Sequence, residues 1–128
     1  MGKGHYGAPL RQLRALFAAG TATGLTDSEL LAQYTAKRAG SAEAATAAEI
    51  AFAALVDRHG AMVWGVCRRV IGDPDEAEDA FQATFLVLIR KARSVRVDGS
   101  LGRWLYGVAH RVAVRARSRT GRREFAIE

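Results

Sequence analysis

The chain has 128 residues, of which 49% are hydrophobic and 25% charged, and its formal net charge is +6. This length suits one domain with a single hydrophobic core and argues against two domains. The sequence has much alanine, two prolines and no long alternation of β-branched with polar residues. We therefore expect an all-α fold, a compact helical bundle of about four main helices.

The charge is distributed unevenly along the chain. Residues 1–89 hold 8 basic and 10 acidic groups, a net −2, whereas residues 90–128 hold 11 basic and 3 acidic groups, a net +8. A field of one sign confined to one end attracts polyanions, such as DNA, RNA or an anionic membrane surface. The alternative is a basic end that only confers solubility.

The apolar segments are too short for a membrane protein. The longest runs, such as residues 83–89, fall well below the roughly 20 residues of a spanning helix. The N-terminus has no continuous apolar segment followed by a small-residue cleavage site, so a secretory signal is not supported. The single cysteine, Cys67, excludes an internal disulfide. We expect a soluble, cytoplasmic protein without membrane insertion.

The first part of the chain is predicted to hold one well-marked helix. Residues 1–24 are rich in glycine and alanine and are predicted to be a loosely ordered extension. Thr26 and Glu29 then have the spacing of a capping box, which predicts a helix running to about Arg38 and terminated by Gly40. The alanine-rich segment GSAEAATAAE that follows is either a connector or the start of the next helix, and its propensity favours helix.

A second helix is indicated from Glu49 to about Gly72. Its phase continues through Gly60, which favours one continuous or slightly bent helix. The side chains on its apolar stripe are Phe52, Leu55, Val56, His59, Val63, Val66, Cys67 and Val70. Because His59 belongs to this stripe, we interpret it as a structural histidine rather than a ligand or base.

A third helix is marked by Asp73 as N-cap, Pro74 at the first position and acids in the first turn, and it is predicted to end near Ala92. The loop RSVRVDGS follows, and Ser100 is placed to cap a final helix that reaches about Arg119. The third helix is apolar over more than one face, because Leu86 and Ile89 lie apart from its core-facing residues. Some of that surface is predicted to await a partner.

The final helix carries a basic stripe. Arg103, His110 and Arg117 recur every seven residues with Tyr106 beside them, opposite an inward face of Leu101, Trp104, Leu105, Val108 and Val112. Guanidinium groups pair with phosphate oxygens and an exposed ring stacks on bases, so this face suits a nucleic-acid strand. The alternative is a solvated helix surface. For Trp104 a core or boundary position is favoured over base stacking, and Arg119, Arg122 and Arg123 either grip a duplex backbone or face solvent.

Nothing in the sequence indicates catalysis. Three scattered histidines and one cysteine give no metal-ligand spacing, and no glycine-rich phosphate loop or nucleophile elbow is present. We expect no enzyme activity, no catalytic residues, no metal site and no cofactor.

Several segments together resemble region 2 of an extracytoplasmic-function (ECF) RNA polymerase sigma factor of the sigma-70 family. The most specific are AEDAFQATFLVL and the following WLYGVAHR, and the upstream segments LTDSELLAQY and AFAALVDRHGAMVWGVCRRV are similar to the preceding part of the same domain. The resemblance covers about residues 25–124 and leaves 125–128 as a C-terminal tail. It implies a helical domain that docks on the β′ clamp helices of the RNA polymerase core and binds and melts the promoter minus-ten element through its non-template strand.

The resemblance also implies residue roles. The residues on the polymerase-docking helix are Glu78, Asp79, Gln82 and Phe85. The base-capturing loop spans 94–100, with Ser94, Val95, Arg96, Val97, Asp98 and Ser100 as DNA-binding residues. The promoter-facing helix contributes Arg103, Tyr106, His110, Arg111 and Arg117.

Two departures from the family pattern bear on function. Such factors usually continue into a C-terminal region 4 domain, a helix-turn-helix that reads the minus-thirty-five element, and we expect that domain to be missing here. The segment GSAEAATAAEI is longer than the expected link between the first two helices. The leading hypothesis is a transcription-initiation factor domain, with an anti-sigma protein as a possible further partner. The alternative is a truncated sigma-like module that binds polymerase or an anti-sigma protein without directing initiation. A weaker third option is an unrelated basic helical protein that binds RNA or membrane.

Overall fold

The computed structural model describes residues 24–36, 41–97 and 100–127, with 121–127 described by their backbone alone. Within these residues the chain is all-α, without a strand, as predicted. The four helices are α1 (Asp27–Thr35), α2 (Ala42–Val70), α3 (Pro74–Lys91) and α4 (Gly102–Ile127). They fall into two compact units, Met1–Val56 and Asp57–Glu128. The predicted boundary at residue 24 stays a prediction, because residues 1–23 lie outside the described part.

In the first unit, α1 begins with the predicted capping box. The Glu29 amide donates to Oγ1 of Thr26 at 3.1 Å, and the Thr26 amide donates to Oε1 of Glu29 at 2.9 Å. The helix spans Asp27–Thr35, and the Ala36 amide after it donates to the carbonyls of Ala32 and Tyr34, which tightens the last described turn. The predicted ends at Arg38 and Gly40 lie outside the described residues.

The alanine-rich segment is helical, so the second of its two interpretations is confirmed. Oγ of Ser41 accepts from the Ala44 amide at 2.9 Å, which satisfies one of the donors at the start of α2. Within the first unit, Tyr34 and Phe52 pack with ring centroids 5.3 Å apart. High helix propensity and this contact explain why the segment does not form a loop.

In the second unit, α2 continues unbroken through Gly60 and ends at Val70, as the apolar phase predicted. His59, Val63, Val66 and Cys67 are buried. The packing against α3 is close, since a Cβ on Gly60 would stand 3.7 Å from the Phe81 ring. His59 is therefore a core residue, as expected, with 9% of its surface exposed.

Among the described residues, α2 alone is long and apolar enough to cross a membrane by length and composition. This finding departs from the expectation that no segment reaches that length. Asp57 and Arg58 lie exposed near the middle of the helix, where a bilayer penalises charge strongly. Within the chain, 39% of this apolar window is buried.

The start of α3 is as predicted, with Asp73 as N-cap accepting from the Glu76 amide at 3.0 Å and Pro74 in the first turn. Before α4, Oγ of Ser100 accepts from the Gly102 amide at 2.9 Å. The helix extends to Ile127, well past the predicted end at Arg119. The later residues include arginine, glutamate and alanine, which favour helix, and the backbone of 125–127 is helical. The predicted domain boundary at residue 124 stays a prediction.

The core of the second unit lies between the packed helices. On α4 the predicted inward residues Leu101, Leu105 and Val108 are buried, as are Ala109 and Ala113. Trp104 is half-buried, which confirms its boundary position. Because these residues are buried, the opposite side of α4 is held in a fixed orientation toward solvent.

Candidate functional site

The solvent-facing side of α3 combines acidic, amide and apolar groups. Asp79 and Gln82 are exposed and Glu78 is half-buried. One and two turns further along, Leu86 and Ile89 expose 52% and 40% of their surface. We call Asp79, Gln82, Leu86 and Ile89 the α3 face. Two exposed apolar side chains one turn apart give this surface apolar area that a protein partner could cover.

Phe85 lies on the predicted docking helix but beneath the exposed residues of the α3 face, and its part in polymerase binding stays a prediction. Its side chain is only 5% exposed, and its ring packs against Phe81 with centroids 5.2 Å apart. The helical period carries Phe85 toward the core while Gln82 and Leu86 point outward. Phe85 therefore packs beneath the exposed residues of the α3 face.

The α4 helix presents the predicted basic stripe to solvent. All five predicted residues are exposed, and Tyr106 exposes 46% of its surface. Because the opposite side of α4 is buried in the core, the stripe is held on one side of the helix. The exposed residues, called here the α4 face, are Arg103, Tyr106, His110, Arg111 and Arg117.

A shallow hollow of about 420 Å³ extends the α4 face toward the C-terminal part of the helix. Arg115 and Ser118, which the sequence analysis did not select, join His110 and Arg111 in its walls, and Val114 lines it between them. Arg115 and Ser118 lie one and two helical turns after Arg111, so they share its side of the helix. The sequence analysis missed them because it followed only the seven-residue spacing that starts at Arg103. Two arginines in the lining of this open hollow give it a positive charge that suits a polyanion.

The predicted base-capturing loop is partly ordered by its neighbours. The Ser94 and Val95 amides donate to the Lys91 carbonyl at 2.9 and 3.0 Å, so these residues close α3. Arg96 is exposed, whereas Val95 and Val97 are half-buried. Asp98 lies outside the described residues.

The end of this loop is anchored on the core. Ser100 is exposed, and its hydroxyl oxygen accepts from the Gly102 amide. A Cβ on Gly102 would stand 3.7 Å from the His59 ring and 3.1 Å from Oγ of Ser100. The buried histidine therefore underlies the point where the loop enters α4.

Trp64 is a further exposed aromatic residue that the sequence analysis did not single out. It exposes 37% of its surface, and its ring meets Phe81 edge to face with centroids 6.1 Å apart. Cζ of Arg68 lies 5.9 Å from the centroid of the indole ring, within cation–π range. The sequence could have indicated this residue, because Trp64 is a large aromatic residue that lies just off the apolar stripe of α2.

In the described part of the chain, no group of three or more His, Cys, Asp or Glu side chains is arranged to hold a metal ion. The chemistry that these surfaces support is recognition. An acidic and apolar face suits a protein partner, and a cationic face with an aromatic ring suits nucleic acid.

Comparison with known proteins places this geometry in a family. Residues 55–123 match the family model of sigma-70 region 2. The chain is 43% identical over 65 residues to the ECF RNA polymerase sigma factor SigK of Mycobacterium sp. strains KMS and JLS, and to the RNA polymerase sigma factor SigK of strain MCS. The alignments cover 50% of this chain but 34% of each relative. No solved structure matches the chain significantly.

Proposed function

Because the chain belongs to the sigma-70 region 2 family, we propose that it acts in transcription initiation by binding the RNA polymerase core and the promoter minus-ten element. The observation that carries this proposal is the presence of two chemically different exposed faces on the adjacent helices α3 and α4. One is acidic and apolar, and the other is cationic with an exposed ring. A single unit with both faces suits a factor that joins a protein to DNA.

The α3 face is proposed to dock on the clamp helices of the β′ subunit. Leu86 and Ile89 supply apolar area, and Asp79 and Gln82 supply polar groups beside it. Protein interfaces have this organisation, with an apolar centre that carries most of the binding energy and a polar rim. Glu78 is half-buried and lies at the border of the face.

The α4 face is proposed to hold the non-template strand of the minus-ten element. Arg103, Arg111 and Arg117 provide phosphate contacts, and the exposed Tyr106 ring provides a stacking surface for an unpaired base. A net +8 over residues 90–128 increases the rate at which a polyanion meets this face. The loop around Arg96 and Val97 is proposed to read a displaced base, with promoter melting as the result.

Polymerase binding can be tested with charge substitutions on the α3 face. In pull-downs with core polymerase, Leu86→Glu should abolish retention, because the new carboxylate would be desolvated in an apolar contact. Asp79→Lys combined with Gln82→Ala should weaken retention. Ala61→Glu places the same charge at an exposed position on α2 and serves as the matched control. Equal retention of Leu86→Glu and Ala61→Glu would contradict the docking proposal.

Run-off transcription with core polymerase and a pool of promoter fragments tests initiation itself. The chain should direct transcripts from a subset of fragments that share a minus-ten sequence. The outcome of polymerase binding without transcripts would favour the alternative, an interaction module that occupies polymerase or an anti-sigma protein. A cytoplasmic location belongs to the same proposal, since that is where bacterial polymerase works.

A further inference from the structure

A stripe of exposed side chains runs the length of α3 and continues just past its end. Its residues recur at alternating steps of four and three, the spacing that keeps one side of a helix turned toward a partner helix in a coiled coil. All of them are exposed, so the described part of the chain leaves this stripe open to solvent. The stripe, called here the α3 seam, consists of Asp75, Asp79, Gln82, Leu86, Ile89 and Arg93.

Arg93 belongs to the α3 seam although α3 itself ends at Lys91. The backbone of Ala92 is still in the right-handed helical conformation. The Ser94 and Val95 amides both donate to the Lys91 carbonyl, at 2.9 and 3.0 Å. Because these bonds continue the helical geometry through this segment, Arg93 lies on the same side of the helix as the rest of the seam.

The charge of the α3 seam changes sign along its length. Asp75 and Asp79 make its first part acidic, whereas Arg93, with the exposed Arg90 beside it, makes its end basic. Between them lies the exposed apolar part of the α3 face. A seam with an acidic end, an apolar middle and a basic end is complementary to a reversed copy of itself.

We propose that the α3 seam binds the α3 seam of a second copy of this chain, which gives an antiparallel dimer with two-fold symmetry. In the register that sets Asp75 against Arg93 of the second copy, the apolar middles of the two seams meet. Asp79 then lies beside Arg90 of that copy. Each contact occurs twice, as an isologous interface requires. The pairing goes beyond the proposed function and does not depend on it.

The antiparallel direction follows from the charges. A parallel pair would set Asp75 against Asp75 at one end and Arg93 against Arg93 at the other, and like charges across an interface are strongly unfavourable. In the antiparallel pair each acidic end meets a basic end. Leu86 and Ile89 leave water at the centre of the contact, where protein interfaces have most of their binding energy.

The interface is small, so the dimer is expected to be weak and reversible. α3 has 18 residues, a length of about 27 Å. Only two of the six seam positions carry aliphatic side chains, whereas coiled coils have apolar residues at most positions of their seam. The contact covers the α3 face. If that face docks on the polymerase core, as proposed above, the core and the second copy exclude one another.

Sedimentation equilibrium of the full chain from about 1 µM to about 1 mM, the range of weak association, should show a reversible monomer–dimer equilibrium. Asp75→Arg with Asp79→Arg makes the seam basic at both ends, and Arg90→Glu with Arg93→Glu makes it acidic at both ends. Each double variant alone should have its dissociation constant raised at least about tenfold, because like charges then meet. An equimolar mixture of the two should form dimers again.

Recovery in the mixture excludes unfolding as the cause, since both variants must keep the fold in order to pair. Glu49→Arg with Asp57→Arg reverses two exposed acids on α2. This matched control should keep the dissociation constant of the unsubstituted chain. The α3 pairing is overturned by a chain that stays monomeric throughout, by double variants that dimerise as well as the unsubstituted chain, or by a mixture that does not associate.

The dimer and the proposed polymerase docking fail separately. If the dimer follows the charge pattern but excess core polymerase leaves the dimer fraction of the labelled chain unchanged, the α3 face does not dock on polymerase and the dimer stands. If the chain is monomeric and polymerase retains it in a way that Leu86→Glu abolishes, the docking proposal stands and the dimer is wrong.

Discussion

The Thr120 hydroxyl donates a hydrogen bond to Oε1 of Glu76 over 3.1 Å, joining residues 44 positions apart in sequence. Glu76 lies in the first turn of α3, and Thr120 lies in the later part of α4. The bond therefore attaches the C-terminal half of α4 to the start of α3. It holds the part of α4 that carries Arg117 in a defined position beside the rest of the unit.

We predict that Thr120→Val lowers the free energy of unfolding by about 0.5–1.5 kcal/mol, the usual net contribution of such a bond. The substitution keeps the shape of the side chain and removes its donor. Urea denaturation followed by circular dichroism measures the change. Glu76→Gln, which retains an acceptor oxygen, should cost less, and an equal loss in both variants would indicate that the charge of Glu76 matters more than the bond.

The N-cap of α3 gives a second prediction. Asp73→Ala removes the acceptor for the Glu76 amide, which lies 3.0 Å away, and should destabilise the chain by about 0.5–2 kcal/mol. Asp73→Asn keeps a side-chain oxygen and should retain most of the stability. Thermal unfolding compares the three proteins, and an unchanged melting temperature for Asp73→Ala would show that the start of α3 is held by packing instead.

Burial raises the pKa of the Cys67 thiol above its ordinary value of 9.0, and a hydrogen bond with Thr84 acts in the opposite direction. The thiolate is the reactive form, so Cys67 should resist alkylation by iodoacetamide at pH 8 in the folded chain. It should react rapidly once urea unfolds the protein. Fast labelling of the folded chain would show that α2 and α3 separate readily.

The same shift has a consequence for stability at alkaline pH. The folded chain holds the thiol proton more tightly than the unfolded chain does. The contribution of Cys67 to the free energy of unfolding is therefore complete below pH 9.0 and is lost as the pH rises above that value. Cys67→Ala lacks this group, so the difference in unfolding free energy between the two proteins should narrow above that pH. A difference that stays constant with pH would refute the shift.

The α4 face predicts a salt dependence of DNA binding. Each phosphate contact should contribute about 0.7 to the slope of log affinity against log salt for a single strand. Arg103→Ala and Arg117→Ala should each reduce the slope by one such step. Arg69→Ala, an exposed arginine on α2, is the matched control and should leave it unchanged. Equal slopes for the unsubstituted chain and the three variants would show that Arg103 and Arg117 do not contact the phosphates of the strand.

Local signals in the sequence were sufficient to locate the helices. The capping pair Thr26 and Glu29 and the Asp73–Pro74 start were predicted because caps depend on neighbouring residues. The end of α4 was not, since the residues after Arg119 contain no breaker strong enough to mark a boundary. Helix ends of this kind depend on tertiary contacts such as that of Thr120, which spacing does not reveal.

Surface assignments were less predictable than helices. The α4 residues are exposed as expected, because a basic stripe opposite an apolar one has a single favourable orientation. The burial of Phe85 was harder to predict, because an α3 helix that is apolar on more than one side has no unique inward face in sequence. Its ring packs on Phe81 of the same helix, and Phe81 in turn contacts Trp64 of α2, a contact between distant segments that spacing does not reveal. The roles of these residues in binding polymerase and DNA remain predictions.

The edge-to-face contact between Trp64 and Phe81 gives the chain an intrinsic optical reporter. The indole is partly in water, has Arg68 above its ring and touches the aromatic pair beneath the α3 face. Any event that shifts α3 changes the surroundings of this indole and hence its emission. With Trp104→Phe removing the other of the two tryptophans, partner engagement could be followed in real time without an attached dye.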